Sequence, residues 1–171
     1  MKKLILFLAM FFSTLSANDL EFNTLQSDFR QIVTSKNKSI TYSGHFIAHS
    51  RFGAFWHYKS PALKYVYFSK SNVTVLEPDL EQALITDISD APNLRTLLAN
   101  AKEVSKDKYE ASFDDTTYTL RVRNNMPAQI NYTDKLGNKV VITLSNTRKN
   151  EPINEGLLEP KIPQNYDILT N

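Results

Sequence analysis

The alternation of side chains between residues 40 and 61 constrains the fold more than any other sequence feature. Arg51-Phe52-Gly53 interrupts the alternation, and Gly53 permits a tight turn. A second strand, Ala54 to Tyr58, carries the only tryptophan, Trp56. Pro61 ends it, because proline cannot donate to a β-ladder. The sequence therefore predicts a hairpin with an arginine at its tip. The hairpin pattern alone favours a half-buried hairpin whose arginine is simply solvated. Before the turn, small or apolar side chains share one strand face by their period of two: Ile40, Tyr42, Gly44, Phe46 and Ala48.

The first 17 residues have the three-part layout of a secretory signal peptide. Met1-Lys2-Lys3 is basic, Leu4 to Phe12 is an unbroken apolar run, and Ser13 to Ala17 is mostly small and polar. The apolar run is too short to cross a bilayer, which takes about 20 residues. We expect cleavage after Ala17; the alternative is a buried N-terminal helix.

The chain contains no cysteine, so the exported protein has neither a disulfide nor a cysteine that could be acylated. Without Lys2 and Lys3 the basic and acidic residues balance, and nothing in the charge indicates a nucleic-acid partner. Residues 18–171 have the length of one domain. We expect a monomer that is not anchored to lipid.

Two stretches have helical spacing. Asn18 or Asp19 can cap a helix that runs to about Thr34. Apolar residues recur in it at spacings of three and four, at Phe22, Leu25, Phe29, Ile32 and Val33. A shorter helix starts near Pro92, which suits a first helical turn, and has one apolar face formed by Leu94, Leu97, Leu98 and Ala101.

The rest of the sequence alternates short strands with turns, which predicts a mainly β, α+β domain of eight to eleven strands. Evenly spaced antiparallel strands of this kind form an incomplete β-barrel or a strongly curved sheet. Besides the hairpin, the predicted strands are 64–69, 73–76, 81–88, 109–113, 117–123, 127–132, 139–146 and a final edge strand over 158–169.

No catalytic or metal-binding pattern stands out, although an enzyme stays open as an alternative. His45 and His49 lie four apart on a strand, which separates them by roughly 13 Å, too far for a chelate. There is no nucleophile elbow and no Gly-rich phosphate loop. Asp114 and Asp115 are adjacent, so their side chains diverge on a strand. We expect no metal and no cofactor.

The order of several short motifs resembles the LolA family of periplasmic outer-membrane lipoprotein carriers. The family opens on a helix that ends in F-x-Q, continues with an arginine before an aromatic-Trp pair, and later has a P-x-x-E-Q segment and a proline that opens a leucine-rich helix. The motifs correspond here to Phe29-Arg30-Gln31, Arg51, Phe55-Trp56, Pro61, Pro78 to Gln82, Ala91 to Leu98, and Pro160 and Pro163 before Tyr166 to Leu169. Phe52 stands where the family has proline after the arginine.

The resemblance implies an unclosed β-barrel whose concave face is covered by a short α-helical lid. It also implies a carrier that takes acylated lipoproteins from an inner-membrane ABC transporter of the LolCDE type. Delivery is to an outer-membrane acceptor of the LolB type or to the outer membrane itself. No covalent chemistry is needed for this task.

The same resemblance assigns roles to particular residues. Phe46, Trp56 and Tyr58 are expected to line the acyl-chain cavity, since Phe46 alternates with its neighbours on the first strand and Trp56 and Tyr58 share one face of the second. Arg51 is expected to act as a latch that donates hydrogen bonds to the free carbonyls at the end of the lid helix. The underside of that lid is expected to be formed by Leu94, Leu97 and Leu98.

Three other functions remain open at this stage. A lipid-sensing regulatory module with the same half-barrel usually needs a second domain, and this chain is short for that. A LolB-type acceptor is acylated on cysteine, which the chain lacks. A structural periplasmic binding module is the third, and it would show no effect of acylated cargo on its stability.

Overall fold

The computed structural model describes residues 20–87, 100–113 and 115–170, and these contain one open, curved, 12-stranded sheet. Along the sheet the order is β12-β6-β5-β4-β3-β2-β1-β11-β10-β9-β8-β7, and every neighbouring pair is antiparallel except β12 with β6. The strands are β1 Thr24–Ser35, β2 Lys38–His49, β3 Gly53–Ser60, β4 Lys64–Phe68, β5 Asn72–Glu77, β6 Gln82–Asp87, β7 Lys102–Ser105, β8 Lys108–Phe113, β9 Thr116–Arg123, β10 Met126–Thr133, β11 Lys139–Lys149 and β12 Asp167–Thr170.

In the described part of the chain, two short 3-10 helices accompany these strands, η1 (Pro78–Leu80) and η2 (Glu155–Leu158). Across the described ranges, no helix has the length and apolar character needed to cross a membrane. The predicted signal peptide lies outside the described residues, and so does the leucine-rich segment with Leu94, Leu97 and Leu98.

The predicted N-terminal helix is wrong, because this segment is the strand β1 at the centre of the sheet. It pairs with β2 on one side and β11 on the other. Leu25 and Phe29 are four residues apart, a spacing that puts two side chains on one side of a helix and equally on one side of a strand. Pairing with a strand on each side decides in favour of a strand. The β-branched run from Ile32 to Thr34 also suits a strand.

The register of the strands gives the sheet one continuous apolar side, which we call the inner face. In β1 it contains Phe29, which pairs with Leu144 of β11 and with Gly44 of β2. Leu120 of β9 belongs to the same buried cluster and is fully buried. The inner-face members of this cluster on strands β1 to β3 and β8 to β11 are Leu25, Phe29, Phe46, Ala48, Ala54, Trp56, Ala111, Tyr118, Leu120, Val122, Ile130, Val140, Ile142 and Leu144.

Contacts between distant strands show that the sheet curls towards this inner face. The ring of Phe29 on β1 lies 4.9 Å from that of Tyr58 on β3, across the whole width of β2. The phenol of Tyr132 on β10 also acts electrostatically on Tyr58, although four strand spacings, about 19 Å in a flat sheet, separate their strands. The inner face is therefore the concave one, and β7 and β12 form the two edges.

Gly44 makes the contact across β2 possible. It pairs with both Phe29 and Tyr58, so a side chain at this position would stand between the two rings. An added Cβ would overlap the carbonyl oxygen of His57 and lie 2.8 Å from Cε1 of Phe29. The register of β2 with β3 also shifts between Ser43 and Gly44, which bends the hairpin at this point.

The opposite, outer face of β2 to β6 is partly covered by the C-terminal segment. Leu158 in η2 is buried, and η2 packs on β2 and β3. The chain then reaches β12, whose Asp167 donates its backbone N–H to the carbonyl of Glu81. Aromatic side chains on this face stack on one another, with Phe55 4.8 Å from Tyr67 and 6.0 Å from Tyr65 between ring centroids.

Most of the predicted strands are confirmed to within one or two residues at their ends; the main exception is the C-terminal end of β11, which extends to Lys149 rather than Asn146. The hairpin is confirmed as β2 and β3, with Gly53 at a φ of 117° in its turn. One strand was not predicted, and one prediction differs. The edge strand β7 has only exposed side chains and thus no apolar alternation to reveal it. The final strand is confined to Asp167–Thr170 and pairs parallel to β6, because the two prolines before it cannot join a ladder.

We predict that Gly44→Ala destabilises the fold by about 1–3 kcal/mol, because the new methyl group overlaps the β3 backbone and pushes Phe29 away from Tyr58. Urea unfolding followed by Trp56 fluorescence measures the change. Gly156→Ala is the matched control, since its added Cβ meets only the end of the Asn154 side chain. Equal unfolding midpoints for Gly44→Ala and the wild type would contradict this role of Gly44.

Candidate functional site

The three side chains predicted to line a cavity all lie on the inner face. Phe46 and Trp56 pair directly across β2 and β3 and stack with their ring centroids 4.6 Å apart. Phe29 meets the edge of Trp56 at 5.0 Å and that of Tyr58 at 4.9 Å. The structure thus brings Phe46, Trp56 and Tyr58 together, and it adds Phe29 as the ring that joins them.

Burial on the inner face falls from one end of the strands to the other. Near the β2–β3 turn, Leu25 is 1% exposed, and Phe46 is 0% exposed. Towards the β1–β2 turn, Gln31 and Tyr42 are only partly buried, and Ile40 is 51% exposed. We call these the closed end and the open end of the inner face. The inner face is therefore more exposed to solvent at the open end than at the closed end.

The open end carries several large hydrogen-bonding side chains. The Tyr58 hydroxyl donates to Oε1 of Gln31 at 2.9 Å, and Tyr42 meets the edge of Tyr58 with ring centroids 6.0 Å apart. Burial raises the pKa of Tyr58 well above its usual value, and the phenols of Tyr132 and Tyr42 raise it further. Burial, with the neighbouring Tyr118 and Asp134, raises the pKa of Tyr132 to about 12.

Arg51 lies in the β2–β3 turn at the closed end and is exposed. Its backbone N–H donates to Nδ1 of His49 at 3.0 Å, and the His49 ring lies 4.5 Å from that of Phe52. The other side of His49 faces Glu155 in η2, with Nε2 3.8 Å from Oε1. The tip is therefore held by His49, while the Arg51 side chain has no ion pair within the described ranges.

The two histidines of β2 serve separate contacts on the outer face. His45 lies 3.0 Å from Oδ1 of Asp28, whose other oxygen accepts a hydrogen bond from Asn146 at 2.8 Å. These two hydrogen bonds lower the pKa of Asp28. His49 contacts Glu155 instead. Among the residues that the structure describes, no cluster of three or more His, Cys, Asp or Glu side chains could hold a metal ion.

A separate groove of about 450 Å³ lies along β9 to β11 and is not suited to acyl chains. Charged and polar side chains form much of its lining, and an apolar chain would have to displace water from them at a cost. Its polar lining residues are Lys106, Asp107, Arg121, Arg123, Gln129 and Thr143.

Sequence reasoning missed the contribution of β1 and of the second half of the sheet. Phe29 and Gln31 were assigned to a helix, so their place beside Trp56 and Tyr58 went unrecognised. The apolar alternation at Leu120 and Val122, and from Val140 to Leu144, indicates that these strands also have an apolar face. In the structure these residues continue the inner face beyond β1. Sequence alone does not say which face of one strand continues that of another.

Comparison with known proteins points to one family. The family model for the outer membrane lipoprotein carrier protein LolA matches residues 21–114. An outer-membrane lipoprotein carrier protein of Campylobacter jejuni is 43% identical over 169 residues, which cover 99% of this chain and 99% of the relative. One from Helicobacter pylori strain HPAG1 is 31% identical over 162 residues, 92% of this chain and 87% of the relative.

Solved structures agree at the level of the fold. The crystal structure of a LolA superfamily protein from Nitrosomonas europaea superposes with a TM-score of 0.56 and 12% identity, over 84% of this chain and 94% of that one. An uncharacterised conserved protein from Thermus thermophilus superposes with a TM-score of 0.54 and 8% identity, over 90% and 94%. At these identities the likeness concerns the curved sheet alone.

We predict that the fold loses stability between pH 10 and pH 12 in part through Tyr132. The folded state keeps this phenol protonated to about pH 12, whereas the unfolded chain releases the proton near 10. The stabilisation is therefore complete below pH 10 and is lost, on the order of 2 kcal/mol, as the pH rises to 12. Urea unfolding at several pH values should show a shallower loss for Tyr132→Phe, and an unchanged slope would contradict the assignment.

Proposed function

The chain belongs to the LolA family of outer-membrane lipoprotein carrier proteins, and on this basis we propose that it carries acylated lipoproteins through the periplasm in the concavity of its sheet. The observation that carries the proposal is the continuous apolar inner face from β3 through β1 to β9, with Phe29, Phe46 and Trp56 in contact at its centre. The similarity to named carrier proteins over almost the whole chain supports the same function.

The physical need for such a carrier follows from the size of acyl chains. Each methylene group exposed to water costs about 0.8 kcal/mol, so several long chains cost tens of kcal/mol. A concave apolar surface removes that cost without any covalent chemistry. The function of the protein is accordingly that of a transport chaperone, not of an enzyme.

We propose partners at both ends of the route. Cargo comes from an inner-membrane ABC transporter of the LolCDE type and passes to a LolB-type acceptor or to the outer membrane itself. This route requires export, which the signal-like sequence of residues 1–17 supports. Residues 18–171 then form one carrier domain, which acts as a monomer. No nucleic acid takes part.

We also propose a helical lid formed by the leucine-rich segment, with Leu94, Leu97 and Leu98 facing the sheet. Ala101, which follows this segment closely, packs against the inner-face cluster, so the chain leaves the segment beside the concavity. Empty apolar surface is costly to a fold that is stable by only about 5–15 kcal/mol. A lid that closes in the absence of cargo removes that cost.

Arg51 is proposed as the latch of this lid. Its turn lies at the closed end and is anchored through His49 and Glu155, which leaves the guanidinium exposed on a fixed support. A guanidinium presents five donors and suits the unpaired carbonyls at a helix end. Hydrogen bonds to a charged group contribute about 1.5–3 kcal/mol each, enough to bias closure and still be reversed by a transporter.

The carrier function is tested by adding a triacylated lipopeptide to the purified protein and following Trp56 fluorescence. Trp56 is nearly buried between Phe46 and Phe29, so acyl chains on the inner face must change its surroundings. We expect a saturable spectral shift with the lipopeptide and none with the same peptide without acyl chains. Identical responses to the two peptides would contradict the placement of cargo on this face.

The latch is tested with Arg51→Leu and Arg51→Lys. We expect Arg51→Leu to favour the open lid, to hold acylated cargo more tightly and to slow its transfer to acceptor membranes several-fold. Arg51→Lys is expected to be intermediate, because a point charge satisfies fewer carbonyls at once than the planar guanidinium. Transfer by Arg51→Leu at the wild-type rate would show that Arg51 is a surface residue only.

A further inference from the structure

Four hydrogen-bonding side chains form a group at the open end of the inner face, whose other side chains are mostly apolar. We call this group, Gln31, Tyr42, Tyr58 and Tyr132, the collar. Gln31 pairs with Tyr42 across β1 and β2, and Tyr58 reaches Gln31 from β3 through the 2.9 Å hydrogen bond. Tyr132 approaches from β10 on the other side of the concavity and acts electrostatically on Tyr58.

The position of the collar along the strands separates it from the deep apolar surface. Gln31 lies two residues beyond Phe29 on β1, which is about 7 Å nearer the open end. Between Phe29 and the closed end, the rings on the inner face of β2 and β3 are those of Phe46 and Trp56, and neither carries a hydroxyl group. An extended ligand in this concavity therefore meets a polar ring at the entrance and an apolar floor beyond it.

The collar offers a ligand mainly hydrogen-bond donors. Tyr58 donates to the amide oxygen of Gln31, a hydrogen bond that uses neither of the two amide hydrogens of Gln31. The hydroxyls of Tyr42 and Tyr132 are further donors, and the raised pKa of Tyr132 keeps its proton in place at any physiological pH. A ligand that matches this group presents acceptors without donors, as ester carbonyls do.

Bare acyl chains do not account for these groups. Each hydroxyl or amide on an acyl-binding surface loses water when a chain covers it, and without a partner that loss costs about 1–3 kcal/mol. Tyrosine suits a boundary at which one end of the ring is apolar and the other end needs a polar partner. The collar lies at such a boundary, where burial on the inner face changes from complete to partial.

We propose that the collar binds the carbonyl groups that join the acyl chains to the cargo, with the chains on the apolar floor and the cargo polypeptide outside the open end. This inference rests on the proposed carrier function and adds to it a recognition site for the ester-bearing part of the lipid. The collar thereby fixes the direction and depth of the cargo, which apolar contact alone leaves undefined because it has no directional preference.

The test compares two probes that differ only in these carbonyls. One is a triacylated lipopeptide with two ester-linked chains, and the other is its analogue with ether links. We expect the wild type to bind the ester form roughly 2- to 12-fold more tightly, the range that one net hydrogen bond supports. The double variant Tyr42→Phe, Tyr132→Phe should lose this preference while its affinity for the ether form changes less than twofold.

The matched control is the double variant Tyr65→Phe, Tyr67→Phe, which removes two hydroxyls from the outer face and should keep the wild-type preference. Gln31→Leu provides an independent variant, since it removes the amide donors and should abolish the preference likewise. Equal binding of the two probes by the wild type, or a preference that survives in both collar variants, would overturn the collar as a recognition site. Failure to bind either probe would instead reject the carrier function, and the collar with it.

Discussion

The contact of the Phe29 ring with Trp56 and Tyr58 across strand β2 is the interaction on which the concave face depends. Rings two strands apart meet here only because Gly44 has no side chain between them. The contact joins the hairpin of β2 and β3 to the central strand β1, and β1 in turn joins β11 and the second half of the sheet. Curvature and apolar continuity thus arise at one place, and the concavity exists because the sheet bends there.

The arrangement explains why a chain of this size can offer a large apolar surface without losing its fold. The rings at the closed end stack on one another and are buried, so part of the surface supports the sheet itself. At the open end the side chains are mixed, with Val33 and Ile40 beside Gln31 and Tyr42. Stability is therefore concentrated at the closed end, and ligand access at the open end. A carrier needs both properties in one sheet.

Sequence alone predicted the strands because their alternation is local. The β2–β3 hairpin, its turn at Gly53 and the common face of Phe46, Trp56 and Tyr58 all follow from a period of two. Sequence alone failed at β1, where a spacing of four fits a helix as well as a strand. The choice there depends on the strand partners of Leu25 and Phe29, which lie 15 to 124 residues away. The collar was missed because Tyr58 and Tyr132 approach each other only through curvature that no local pattern encodes.

The central claim is that acyl chains of a lipoprotein occupy the inner face during transport. Native mass spectrometry of the protein isolated gently from the periplasm of its own cells tests this most directly, because it weighs the carrier together with what it holds. The account predicts a population at the mass of the carrier plus one acylated protein, which dissociates when Trp56→Asp places a charge on the apolar floor. Isolation without acylated protein under all growth conditions, or with partners that carry no acyl chain, would contradict it.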